Sequence, residues 1–130
     1  MENKEGLIWY DGNLVDWKDA KLHVLTHGLH YASSVFEGER SYSGRIFKLH
    51  EHTERLLYSA SELDFEIPYS IDEIKQASYL TLEKNNLVDA YIRPIAWRGA
   101  ETVGVSAQNT KIHFAIAVWE WPSYFSPEDK

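Results

Sequence analysis

Two side chains late in the chain have the types and spacing to do chemistry together. Tyr91 and Arg93 stand two residues apart in the run Ala-Tyr-Ile-Arg-Pro. In an extended strand that spacing puts a phenol and a guanidinium side by side on one face. The planar fork of arginine suits a carboxylate, and an arginine on an otherwise apolar sheet face must find an anion. That anion is either a bound ligand or one of the 20 Asp and Glu residues of the chain, and spacing alone leaves both readings open.

The other candidates read more simply. Arg55 follows Glu51 by four residues and Glu54 by one, so a surface ion pair worth roughly 0.3–0.5 kcal/mol accounts for it. His23, His27 and His30 are spaced as metal ligands on a helix could be, but no HExxH pattern forms and the stretch is a poor helix former. No metal is assigned there. His50 and His52 flank a helix start and read as surface or capping residues. The chain has no Cys, which removes disulfides, thiolate nucleophiles and Cys-ligated zinc. It also lacks a Ser-His-Asp order, a phosphate-binding Walker loop and a Gly-rich dinucleotide fingerprint.

Composition narrows the partners. A net charge of -7 argues against a nucleic-acid partner, whose phosphates need a positive face. The polar, acidic start Met1-Glu2-Asn3-Lys4-Glu5 is unlike a secretory signal, and no apolar run reaches membrane-spanning length. A hydrophobic content of 44%, with five Trp, eight Tyr and five Phe, argues for a packed core. The expectation is a cytoplasmic domain without a membrane partner.

The elements that must position these residues follow from turn and period signals. Asp11-Gly12 joins Leu7–Tyr10 to Asn13–Val15 as a hairpin. Residues 17–34 suit a functional loop with at most a short helical turn. A second hairpin runs from Phe36 to Tyr42 and from Arg45 to Leu49 around Ser43-Gly44. A helix over about 50–63 carries Leu56, Leu57, Ala60 and Leu63 at helical spacing. Ser70 and Glu73 form a capping-box pattern for a second helix, with Ile74, Ala77, Ser78 and Leu82 inward and Asn85-Asn86 as its stop. Two long strands follow, over 88–97 and 111–119, and Pro94 requires an edge or a bulge in the first. The sum is an α+β domain with a mostly antiparallel sheet and two main helices. Trp121, Pro122, Tyr124 and Phe125, close to the last residue, need something to pack against.

The stretch from His30 to Tyr42, His-Tyr-Ala-Ser-Ser-Val-Phe-Glu-Gly-Glu-Arg-Ser-Tyr, resembles the "HYG-S-VFEG-R-Y" signature of branched-chain amino-acid aminotransferases. The resemblance to this fold-type-IV, pyridoxal-phosphate-dependent family continues through FKLHEHTERL (47–56), AYIRP (90–94), Val103-Gly104-Val105 and WEWPSY (119–124). It implies the small N-terminal domain of a two-domain enzyme with pyridoxal 5'-phosphate in the cleft. It also implies roles residue by residue. Arg55 matches the arginine that binds the cofactor phosphate, against the surface ion pair read from spacing. Tyr91 matches the ligand of the substrate α-carboxylate. Arg93 matches the one that meets the distal carboxylate of glutamate or 2-oxoglutarate, with Tyr31 and Tyr124 nearby. Phe36, Gly38, Val105 and Trp121 match walls of the side-chain pocket. Tyr31 and Val105 serve the neighbouring subunit's site, implying a homodimer or higher homo-oligomer whose substrates are amino acids and 2-oxo acids.

The departures also carry information. The family's cofactor-tethering lysine lies in the second domain, and Lys48, Lys75, Lys84 and Lys111 do not match it. The resemblance therefore implies a chain that is inactive alone and does not retain the cofactor. Ala32 stands where Gly is usual. Glu39 stands where an apolar residue is common, either packed inside or facing water. Two alternatives accompany this reading: a D-amino-acid aminotransferase or aminodeoxychorismate lyase relative, and a non-enzymatic self-associating module.

Overall fold

The computed structural model describes residues 1–102 and 109–121. β1 (Leu7–Tyr10) and β2 (Asn13–Asp16) form the first hairpin. Asp11 and Gly12 take the positive φ values, 49° and 96°, that this turn demands. The turn is stitched to a distant strand, because the Asp11 N–H donates to the Phe114 carbonyl and the Asp11 carboxylate accepts from the Phe114 N–H, each at 2.8 Å.

The sheet is built on β6 (Ala90–Arg98) and β7 (Ile112–Glu120), paired without a bulge from Ala90↔Glu120 to Arg98↔Ile112. With β3 (Ser34–Phe36), β4 (Glu39–Tyr42) and β5 (Arg45–Ile46) the order is β2-β1-β7-β6-β4-β5, and β3 also pairs with β6. All pairings are antiparallel. α2 (Leu49–Glu62) and α3 (Ile71–Lys84) cover one face. There Ala90, Ile92, Ala96, Phe114, Ile116 and Val118 meet Leu56, Ala60 and Ile74 in one core. The alternation expected of β6 holds: Ala90, Ile92 and Pro94 point into this core, while Tyr91, Arg93 and Ile95 are only half-buried on the opposite face. A short 3-10 turn (Trp17–Asp19) and α1 (His27–Tyr31) lie in the segment read as a functional loop.

α3 begins as its sequence demands. The Glu73 N–H donates to Ser70 Oγ (3.1 Å) and the Ser70 N–H to Glu73 Oε1 (2.9 Å). Asn85 caps its end, and Asn86 turns the chain away with φ 55°.

Three expectations need correction. Pro94 marks neither an edge nor a bulge, for β6 is central and its register against β7 is unbroken. The break falls in the partner strand instead. The pairs Phe36↔Ile95 and Glu39↔Ile92 belong to one register, in which Glu37 faces Pro94. The Glu37 N–H donates to the Pro94 carbonyl at 3.1 Å, but proline has no N–H to return. The expected single strand from Phe36 to Tyr42 is therefore two. Its return strand stops at Ile46, because Leu49 already starts α2. Leu63 lies past the end of α2 and is 41% exposed, outside the buried stripe assigned to it.

Glu39 is buried, at 2% exposure, and Oε1 has no hydrogen-bond partner among the described residues. Paired with Ile92, it points to the helix-covered side. Burial, with help from the Glu37 charge, pushes its pKa up to about 8. The folded chain thus holds a proton that the unfolded chain releases in the ordinary carboxylate range, so stability falls as pH rises from that range toward 8. Denaturant unfolding should find the chain less stable at pH 8 than at pH 5 by on the order of 3 kcal/mol. Glu39→Leu should remove most of that difference, and an unchanged slope would rule out Glu39 as its source.

Candidate functional site

The open face of β6 carries Tyr91, Arg93, Ile95 and Trp97 in alternation. Arg93 donates from Nε (3.2 Å) and Nη2 (2.7 Å) to the Tyr91 hydroxyl oxygen. Its guanidinium lies 4.3 Å from the ring centroid of Phe36, which is exposed and sits opposite Ile95. No ion pair among the described residues involves Arg93. Of the two readings left open by the spacing, the internal carboxylate partner is not found there.

Arg93 is also the one charged side chain, among the described residues, lining a cavity of about 260 Å³. The wall is otherwise largely apolar and includes Ile8, Leu22, Ile95, Trp97 and Ala115. An apolar space with one cation in its wall can hold an aliphatic chain and also recognise a carboxylate, and Phe36, Gly38, Tyr91 and Trp121 lie outside its lining.

Tyr91 is fixed by aromatic packing. Its ring centroid lies 4.8 Å from that of Trp119 and 5.1 Å from that of Trp121. Gly38 approaches from the neighbouring strand, where a Cβ would run into the Tyr91 hydroxyl. Gly38 and Trp121 are thus both brought to Tyr91, and Phe36 to Arg93. Tyr31 is placed differently: it ends α1 half-exposed, its ring 4.6 Å from that of His27. The rings beneath Arg93 are those of Phe36 and Tyr91. Val105 and Tyr124 lie outside the described residues.

Arg55 stands on α2, on the other side of the sheet. Its partner is Glu37, not Glu51 or Glu54: Nε donates to Oε2 (2.8 Å) and Nη2 to Oε1 (2.7 Å). His52 Nδ1 meets the same Oε1 at 2.8 Å. His52 is therefore tied to a buried carboxylate and is not the surface or capping residue expected. Burial works to raise the Glu37 pKa, but the bonds from Arg55 and His52 outweigh it and hold the group below the usual carboxylate range. The Arg55 side chain remains 66% exposed, so its outer edge faces solvent.

Sequence reasoning missed two residues here. Glu37 is 5% exposed and, from the break between β3 and β4, meets both Arg55 and His52 of α2; it lies 18 residues before Arg55, a separation that helix-spacing rules do not cover. Arg40 pairs with Tyr91 across the strands. Its guanidinium lies 5.5 Å from the Trp121 ring and 5.3 Å from the Tyr42 ring, and its buried Nε has no partner among the described residues. The signal for Arg40 was strand alternation with Gly38. A third cluster lies elsewhere: His113 bridges Asp11 (2.6 Å) and Glu101 (2.7 Å). The three histidines weighed as metal ligands go to separate partners. His23 Nδ1 accepts from the Leu25 N–H, His27 meets Ser33 Oγ, and His30 meets the Val24 carbonyl.

The family model described as amino-transferase class IV matches residues 34–128. The branched-chain-amino-acid aminotransferase of Pseudomonas aeruginosa is 48% identical over 98% of this chain and 43% of its own length. That of Escherichia coli strain K12 is 40% identical over 96% of this chain and 42% of its own. Among solved structures, a branched-chain amino acid aminotransferase from T.th. with pyridoxamine 5'-phosphate superposes with a TM-score of 0.89 at 41% identity, over 96% of this chain and 43% of that one. The Escherichia coli enzyme gives 0.87 at 40% identity, over 96% and 43%. The α+β fold matches the N-terminal domain of these structures, and the chain spans less than half the length of the relatives it matches.

Because Tyr91 packs against two indoles, its ring can make room for a methyl group at position 38 only by disturbing that packing. Gly38→Ala should cost about 1–3 kcal/mol and disturb the Tyr91–Trp119 stack. Near-ultraviolet circular dichroism with denaturant unfolding checks this, and an unchanged spectrum at unchanged stability would contradict the packing described.

Proposed function

The chain belongs to the amino-transferase class IV family, and on that premise we propose that it is the N-terminal, substrate-recognising domain of a pyridoxal-phosphate-dependent branched-chain amino-acid aminotransferase. The observation that carries this reading is Arg93, without a carboxylate partner among the described residues, bonded to Tyr91 and lining an apolar cavity. The branched-chain names of the relatives above favour it over a D-amino-acid aminotransferase or an aminodeoxychorismate lyase.

The donors divide the work. Arg93 donates both of its bonds into the Tyr91 oxygen, which leaves the phenolic proton free to donate to a substrate α-carboxylate. With leucine, isoleucine or valine bound, Arg93 stays on Tyr91 and Phe36, and the apolar cage takes the side chain. With glutamate or 2-oxoglutarate bound, the guanidinium turns to the distal carboxylate, for which its unused N–H groups are suited. One pocket thereby accepts two unlike substrates.

The residues present fit a phosphate-bearing cofactor. The outer edge of Arg55 is open to solvent, and this guanidinium would hold the phosphate. When bound, pyridoxal phosphate supplies the electron sink that labilises the substrate α-proton and carries the amino group between half-reactions. The lysine that tethers it belongs, by the resemblance, to the part of the family fold that this chain does not span. Tyr31 and Val105 are assigned to the neighbouring copy's pocket in a homodimer or higher homo-oligomer, and the enzyme to the cytoplasm. No helix among the described residues is long and apolar enough to cross a membrane.

The test is a titration of the purified chain with pyridoxal phosphate, followed by absorbance and by transamination of leucine with 2-oxoglutarate. The chain alone should give neither a stable bound-cofactor band nor turnover. Supplied with the rest of the family fold, it should turn over. There Arg93→Met should slow the 2-oxoglutarate half-reaction roughly 100-fold and the leucine half-reaction only a few-fold. Turnover by the chain alone would overturn the placement of the lysine, and equal losses in both halves would overturn the role of Arg93.

A further inference from the structure

The Glu37 carboxylate has no task in the chemistry assigned above, yet it is one of the most tightly held polar groups in the molecule. Its residue is 5% exposed, its backbone N–H is fixed to the Pro94 carbonyl, and both of its oxygens are engaged by α2. We propose that Glu37 is a positioning residue for Arg55, gripping one edge of the guanidinium so that the opposite edge is presented to a phosphate monoester dianion. This rests on the reading of Arg55 as the phosphate anchor.

The donor inventory decides the geometry. A guanidinium has five N–H groups, and Glu37 takes one from Nε and one from Nη2. The two on Nη1 and the second on Nη2 remain, and one from each nitrogen points in parallel off the end of the fork. A phosphate approaching from solvent can take two of these in parallel, the arrangement that makes arginine the preferred phosphate ligand. Without Glu37 nothing among the described residues bonds this 66%-exposed side chain, and its rotamer freedom would be lost only on binding.

Charge opposes this benefit, since a carboxylate repels a phosphate. Two features limit the repulsion. The phosphate sits on the far side of the guanidinium in a water-exposed position, where charge interactions are weakened. His52 shares the same carboxylate oxygen and, when protonated, offsets its charge. Glu39 also faces Glu37 from the same strand, and it is neutral until well above the ordinary carboxylate range. Pre-ordering of the fork therefore outweighs repulsion, and the grip strengthens phosphate binding.

The test uses the ¹⁵N-labelled chain titrated with inorganic phosphate, following the Arg55 Nε–Hε correlation by nuclear magnetic resonance. The native chain should show a distinct, slowly exchanging Arg55 signal that moves on phosphate addition. In Glu37→Gln that signal should merge with those of mobile arginines and the phosphate dissociation constant should rise about tenfold, with the backbone spectrum otherwise kept. Glu37→Asp should fall between the two. Arg55→Lys, which keeps the charge but not the fork, should lose as much as Glu37→Gln and serves if the latter does not fold. Equal or tighter binding by folded Glu37→Gln, or by Arg55→Lys in its place, would overturn the proposal and make Glu37 a competitor of phosphate. If phosphate leaves the native Arg55 signal unmoved, the phosphate-anchor reading itself fails and takes this proposal with it, a result distinct from any variant outcome.

Discussion

Pro94 has no N–H to give, and the strand that meets β6 breaks opposite it, at the residues that link the two sides of the candidate site. Within one continuous antiparallel register, the Glu37–Pro94 pair keeps only the bond from the Glu37 N–H. The strand opposite β6 is interrupted there, and alternation carried across the gap sends three successive residues to the two faces in turn. Phe36 goes to the open face under Arg93. Glu37 goes to the helix side, where it collects Arg55 and His52. Gly38 returns to the open face with no side chain, leaving room for the Tyr91 hydroxyl. A substrate-facing surface and an arginine on the far side of the sheet are thus coupled through one tripeptide.

Neighbouring carboxylates on this strand meet opposite fates. Glu37 and Glu39 are both buried and both point toward the helices. Glu37 is bonded by the Arg55 guanidinium and the His52 ring and is held as the anion. Glu39 has no partner for Oε1 among the described residues and is held as the acid, with a pKa near 8. Burial penalises the charge in both cases; the partners decide which form wins. Despite the net charge of -7, the open face carries two arginines, Arg93 and Arg40, that form no ion pair among the described residues.

Much of the fold was legible because its signals are local. Asp11-Gly12 demands a turn, Ser70 and Glu73 demand a helix start, and the alternation in β6 sorts its residues onto two faces. The same alternation placed Tyr91 and Arg93 together. What spacing could not supply were pairings between distant segments. The bond from Arg55 to Glu37 links α2 to the break between β3 and β4, so Glu51 looked like the natural partner. The consequence of Pro94 was visible, but its location in the neighbouring strand depended on knowing that β6 is central. The burial of Glu39 could not be decided without the helix that covers it.

We propose that the open face of β6 is a carboxylate site whose cation is Arg93. The most direct measurement is a titration of the ¹⁵N-labelled chain with glutarate, a dicarboxylate with the carbon count of the proposed acidic substrate. Signals of Phe36, Gly38, Tyr91, Arg93 and Trp121 should move together, and Arg93→Met should abolish the response while leaving the remaining spectrum intact. Shifts confined to other surfaces, or a full response in Arg93→Met, would contradict the claim.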